Sequence, residues 1–177
     1  MAKDKLHIGC KGPALPGFKR LDMIQWGDHG GTFVDYVQDA KDLSNIESGS
    51  CDELYCSNVL EHFPHVETVK VLTEWRRVLC SGGKAWISVP DLMASIELVK
   101  KEPGAMWPIY LLYGDQEKPL HYHYINFSYP MLARMCMDAG FSDVKRIKEM
   151  PYGLQDASQY IDSHFGIPIS LNIEATA

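Results

Sequence analysis

Glu61-His62 and His121-Tyr122-His123-Tyr124 are the segments of this chain best equipped to move a proton. Imidazole exchanges its proton near neutrality, so His62 and His123 are candidates for a general base acting on a hydroxyl group. Tyr122, Tyr124, Trp107 and Tyr110 are candidates for walling a sugar or an aromatic acceptor. The competing readings are structural: a loop histidine bonds backbone, and aromatic side chains pack in cores. His121 and His123, with Glu61 or His62 nearby, could also hold a metal, since two histidines on one strand face can chelate, and a metal-dependent hydrolase using His62, His121 and His123 is a weaker alternative. No further ligand has a fixed spacing to them, so no metal is expected.

A second group of residues suits a nucleoside. A short apolar run, Leu6-His7-Ile8, ends in Gly9 and passes into a loop with Cys10, Gly12 and Gly17, where glycine permits close backbone approach to a ligand. Asp22 ends the next apolar run and can accept hydrogen bonds from both hydroxyls of a ribose. Asp39 lies in an acidic turn placed to touch an adenine amino group. A dinucleotide fingerprint requires G-x-G-x-x-G opening a helix, with an acid about 20 residues further on. Here Pro13 and Pro16 occupy the would-be helix and Asp22 arrives too early, so a ligand without a pyrophosphate fits better.

The elements that must position these residues alternate between strand and helix. Phe18 to Ile24 reads as a second strand, Trp26 to Gly31 as a glycine-rich turn, and Thr32 to Val37 as a short third strand. Cys51 to Cys56 is a strand anchored by Leu54. His65 to Cys80 is the clearest helix, with Val69, Leu72, Trp75, Val78 and Leu79 on one stripe and Gly82-Gly83 as its stop. Lys84 to Val89 is a buried strand, and Asp91 is the N-cap of a helix over 92–101 whose Leu92, Ile96 and Val99 share a face. Pro103 to Gln116 is helical, His121 to Phe127 is an aromatic loop, and Ser128 caps a helix that Gly140 ends. Val144 to Met150 is a strand. Ile169 to Thr176 alternates strictly, which predicts a last strand with one face in water, its polar side being Ser170, Asn172 and Glu174. The fold class is α/β: one Rossmann-like domain over 1–177, mostly parallel, with an antiparallel C-terminal strand. Ligands of such sheets bind at the strand tips.

Composition narrows the function classes. The 177 residues carry a net charge of -6, and Lys and Arg never run beyond a pair, which argues against nucleic acid as a partner. No window approaches the roughly 18 apolar residues of a membrane span. Five cysteines in an odd set, without a C-x-x-C, fit a reducing cytoplasm better than a disulfide framework.

The stretch from Cys51 to Asp91 carries a resemblance to a known family. Cys51-Asp52-Glu53-Leu54-Tyr55-Cys56-Ser57-Asn58-Val59-Leu60-Glu61-His62, Glu74-Trp75-Arg76-Arg77-Val78-Leu79, Gly82-Gly83-Lys84 and Ile87-Ser88-Val89-Pro90-Asp91 resemble the class I S-adenosylmethionine-dependent methyltransferases. More narrowly, they are similar to small bacterial members, often linked to polysaccharide biosynthesis. Leu6-His7-Ile8-Gly9, His123-Tyr124 and Asp138-Ala139-Gly140-Phe141 extend the likeness over most of the chain. The resemblance implies S-adenosylmethionine as cofactor. Its amino-acid end would rest on Gly9 and its neighbours, its ribose on Asp22 and its adenine by Asp39. Ser57, Asn58 and Val59 would lie beneath the sulfonium, with Glu61 and His62 facing the acceptor, a saccharide or related metabolite. Two features depart from the family pattern. Lys11 and Pro13 interrupt the usual Gly-x-Gly-x-Gly loop, whose following helix is reduced, and Asn58 stands where a histidine is common. A ligand-binding module without chemistry is the rival reading.

Overall fold

The computed structural model describes residues 3–10, 15–25 and 33–177. Gly12 and the turn over 26–31 lie outside the described residues. β1 (Asp4–Ile8), β2 (Lys19–Asp22), β3 (Tyr36–Val37), β4 (Cys51–Ser57) and β5 (Leu79–Pro90) are parallel. β6 (Asp143–Ile147) and β7 (Ser170–Thr176) complete a seven-stranded sheet in the order β3-β2-β1-β4-β5-β7-β6, with β7 antiparallel to both neighbours. The expected mixed α/β sheet is therefore present.

Alternation along the central strands divides the interior into two layers. Leu54 and Cys56 of β4, Ala85, Ile87 and Val89 of β5, and Leu171 and Ile173 of β7 face one layer. Helices α1 (His65–Val78) and α4 (Tyr129–Asp138) contribute Leu72, Trp75, Leu132 and Cys136 to it. The opposite face is covered by irregular segments, through Leu15, Phe18 and Met150 packed with Tyr55. Leu15 and Phe18 belong to the connection between β1 and β2, a crossover usually made by a helix.

Several boundaries differ from the sequence reading. α1 ends at Val78 rather than at Cys80, because buried Leu79 already pairs with Cys51 and draws the chain into β5. Gly82 and Gly83 lie where the β4–β5 register shifts. α2 (Leu92–Lys101) has the expected cap, with Asp91 accepting from the N–H groups of Met93 and Ala94. Its buried face is Ser95 and Leu98, however, while Leu92, Ile96 and Val99 are only half-buried. The helix expected over 103–116 is confined to α3 (Trp107–Tyr113). Ser128 precedes α4 without a side-chain capping bond.

The last strand is the clearest correction. Asn172, assigned to a wet face, is 3% exposed and donates to the carbonyls of Lys148 and Ser158. β7 lies inside the sheet, and the segment before it folds over its polar side. Alternation arose here from a polar network, not from solvent.

Candidate active site

The C-terminal tips of β1, β2 and β4 open on a cavity of about 930 Å³. Gly9, Asp22 and Asn58-Val59 line it from these tips, and Asp39 to Lys41 from the segment after β3. His62, Phe63, Lys118 to His121 and Tyr124 form the remaining wall.

Gly9 is fixed by sterics. Its φ is +73°, and a Cβ there would lie 2.1 Å from Val59 Cγ2. The two strand tips thus meet so closely that only a glycine backbone fits, leaving main chain against the cavity. Asn58 has a φ of 53°, a left-handed position that asparagine tolerates better than most residues. Its N–H donates to Ser88 O at 2.9 Å, tying this turn to β5.

Asp22 has a double task. Its Oδ2 accepts from the Cys10 N–H at 2.9 Å, while the Arg20 guanidinium donates to the Cys10 carbonyl, so β2 holds the loop after β1 on both sides. A carboxylate oxygen carries more than one lone pair, so acceptor capacity remains toward the cavity. Asp39 accepts from the Lys41 N–H at 3.0 Å, and the Lys41 ammonium lies 3.7 Å from both Asp39 and Glu67. Below this segment Arg77 donates to Leu43 O, Ile46 O, Ser48 and Glu74. Cys10 has its side chain fully buried, and neither it nor Ser57 lines the cavity.

At the other end, two segments far apart in sequence converge. The His62 and His123 rings stand edge to face with centroids 5.0 Å apart. His62 Nδ1 is 2.9 Å from Tyr122 O, and His123 Nδ1 is 3.0 Å from Leu111 O. A carbonyl oxygen only accepts, so both rings carry hydrogen on Nδ1 and a lone pair on Nε2. Burial lowers the pKa of each, which keeps the imidazoles neutral and able to take a proton. Gly114, at the end of α3, has a φ of +74°, and a Cβ on it would meet His121 O at 1.7 Å. That close approach brings the His123 segment down onto the site.

Glu61 was expected to face the entrance, but the 3-10 turn Leu60–His62 directs it inward, and it is 1% exposed. Desolvation pushes its pKa up to about 8, against a smaller opposing effect of the Asn58 amide. Tyr124 lines the cavity, whereas Tyr122 has its ring outside it and contributes its carbonyl to His62. His121 does not join the other histidines. Its Nδ1 pairs with Asp115 at 2.7 Å, so the set of His62, His121 and His123 is not assembled. Lys41, Glu67 and the segment 118–120 were missed in the sequence. An exposed Lys or Glu has no local signal that a cavity wall lies beside it.

Residues 22–87 match the family model for a methyltransferase domain. The fold is that of the class I methyltransferases. The structure is similar to an S-adenosylmethionine-dependent methyltransferase from Archaeoglobus fulgidus, with TM-score 0.64, 17% identity, and coverage of 99% of this chain and 86% of that one. An S-adenosylmethionine-dependent methyltransferase from Mesorhizobium loti gives TM-score 0.60, 15% identity, and coverage of 99% and 91%. The Burkholderia thailandensis 1,6-didemethyltoxoflavin-N1-methyltransferase, solved with its substrate and S-adenosylhomocysteine, gives 0.52, 15%, and 90% of this chain. This chain spans 60% of that enzyme, and about half of the CurJ carbon methyltransferase. No curated protein sequence matches. Among the described residues, no helix is long and apolar enough to cross a membrane.

Proposed function

We propose that this domain binds S-adenosylmethionine in the strand-tip cavity and methylates an oxygen of a small acceptor, a saccharide or related metabolite. One observation carries the reading. A single cavity has Asp22 and Asp39 at one end, the glycine backbone of Gly9 between, and His62 with Tyr124 at the other. The residues fit the cofactor: the Gly9–Val59 contact leaves bare main chain for its amino-acid end, and Asp22 retains acceptor capacity for a ribose.

The cofactor supplies a methyl group on a positively charged sulfonium, which becomes a neutral thioether as the acceptor oxygen takes the methyl. The protein's part is to align the acceptor for in-line attack, which by itself accounts for much of such an acceleration. Asn58 and Val59 form the floor between the two ends. Tyr124 offers a ring and a hydroxyl to a polyhydroxylated acceptor, with Tyr122 6.4 Å from it, centroid to centroid. The hydroxyl proton passes to a histidine Nε2, and His62, on the cavity wall, is the nearer candidate of the pair. Its Nδ1–H bond to Tyr122 O holds the ring and steadies the imidazolium that results. We place the reaction in a reducing cytoplasm, consistent with five unpaired cysteines.

Calorimetry with S-adenosylmethionine and S-adenosylhomocysteine tests the reading. Saturable heat for both is expected. No heat at millimolar ligand would defeat it and favour a module that binds another ligand through the same cavity.

A further inference from the structure

A pair of basic imidazoles has no need of a buried carboxyl beside it, yet Glu61 is there. By strict geometry neither of its carboxyl oxygens has a hydrogen-bond partner among the described residues, and the pull of the Asn58 amide on it is too weak to offset its burial. A buried carboxyl left unpaired destabilises a fold unless something compensates it. What lies next to it is a pair of imidazoles. A carboxylate oxygen of Glu61 and one ring nitrogen each of His62 and His123 all lie within 4.8 Å of one another.

The chemistry of that triangle is specific. Both rings donate Nδ1–H to a backbone carbonyl, the arrangement that orients metal-ligating histidines and leaves Nε2 as the ligand atom. Two imidazoles with one carboxylate suit a borderline transition metal rather than calcium or magnesium, which prefer all-oxygen shells. Zinc with bonds of about 2.05 Å holds tetrahedral ligand atoms about 3.3 Å apart. The separations here, at most 4.8 Å, exceed that by no more than about 1.5 Å, a gap that metal binding has to close.

We propose that Glu61, His62 and His123 hold a divalent transition-metal ion, zinc by preference, at the acceptor end of the cavity. Three protein ligands leave a coordination position open, as in catalytic rather than structural zinc sites. For its role, though not for the binding itself, the site rests on the methyl-transfer reading. The acceptor hydroxyl binds the ion at the open position and releases its proton to water. The resulting metal-held oxygen then forms the C–O bond while the C–S bond breaks and its electron pair stays on sulfur. His62 and His123 then serve as ligands, and the ion replaces an imidazole as the deprotonating device.

The test is titration of the chelator-treated full chain with cobalt(II), read by visible absorption, followed by displacement with zinc. One ion per chain with visible d–d bands is expected. Glu61→Gln and His123→Ala should each weaken binding by about 100-fold or more, since even outer-shell partners are worth 10–100-fold. His164→Ala, a surface histidine paired with Glu102, should bind as wild type. Circular dichroism and an unfolding curve check that each variant folds, and His123→Ala alone suffices if Glu61→Gln does not. The absence of saturable binding at micromolar metal overturns the proposal. So does binding that both variants retain, or a strong near-ultraviolet thiolate band, which would put the ion on half-exposed Cys80. Calorimetry on the same samples separates the two readings. A chain that binds S-adenosylmethionine but no metal loses only the metal site, and one that binds metal but not the cofactor loses only the transfer reading.

Discussion

Asp22→Ala should weaken S-adenosylmethionine binding by about two orders of magnitude. Asp22 stands at the tip of β2 on the cavity wall, and its Oδ2 already accepts from the Cys10 N–H at 2.9 Å. The second lone pair of Oδ2 and the in-plane lone pair of Oδ1 remain for two ribose hydroxyls. Oδ1 meets only the Ile24 N–H, at a long 3.3 Å. Hydrogen bonds to a charged group contribute about 1.5–3 kcal/mol each. Taking the lower figure, because the site is reached by water, two bonds amount to about 3 kcal/mol, or about 100-fold in Kd. The alanine variant also releases the Cys10 N–H, a loss of about 1 kcal/mol in stability that should not unfold the chain. Titration calorimetry on wild type and variant reads the ratio, with a urea unfolding curve as the control. An intact variant whose Kd stays within threefold of wild type would refute the placement of the ribose at Asp22. Asp22→Asn refines the result: it keeps one acceptor and should fall between the two.

Three further outcomes follow from the geometry. Gly9→Ala must adopt a positive φ and drive a Cβ to 2.1 Å from Val59 Cγ2, so it should lower unfolding free energy by about 2–4 kcal/mol in urea titration; a variant as stable as wild type would show that the tips are not in contact. His7, 3% exposed and edge-on to Tyr55, has its pKa pushed down from 6.5 to about 4, chiefly by burial and then by Arg20, with Asp156 and Asp22 opposing. A depressed histidine favours the folded state while neutral, so this stability is present above pH 6.5 and is lost as pH falls toward 4. The loss is about 3 kcal/mol, and parallel stability–pH curves for wild type and His7→Gln would contradict it. Arg77→Lys forfeits the forked contacts to Leu43 O and Ile46 O, and should cost about 1–2 kcal/mol in thermal unfolding. It should also weaken cofactor binding several-fold by loosening the Asp39 segment; unchanged affinity would mean that this segment does not touch the ligand.

The central βαβ unit was legible because its signals are local. The apolar stripe of α1, the Asp91 cap and the mostly apolar stretch 85–89 of β5 each follow from spacing within a few residues. The positions of Gly9, Asp22 and Asp39 at successive strand ends were legible for the same reason: strand ends in a parallel sheet share one edge. Leu79 could not be read correctly, because its apolar character suits the helix stripe as well as the strand, and pairing with Cys51 across the sheet decides between them. Asn172 was misread because a polar alternation looks the same whether water or buried carbonyls satisfy it.

Sequence by itself thus determined the α/β class, the methyltransferase likeness, and the placing of Gly9, Asp22 and Asp39 near the strand tips. Residue type and short spacing are enough for these, since they depend on periodicity, capping and strand order. Only the tertiary structure decided the histidine end of the cavity. His62 and His123 are distant along the chain, and no spacing rule joins them. It is the close approach of Gly114 to His121 O, with the Tyr124 N–H bonded to Glu61 O at 2.8 Å, that folds the aromatic loop onto the tip of β4. The same packing turned Glu61 from an entrance residue into a buried carboxyl facing two imidazoles, and sent His121 to Asp115. Which polar groups share one small volume is a property of packing, and packing is non-local.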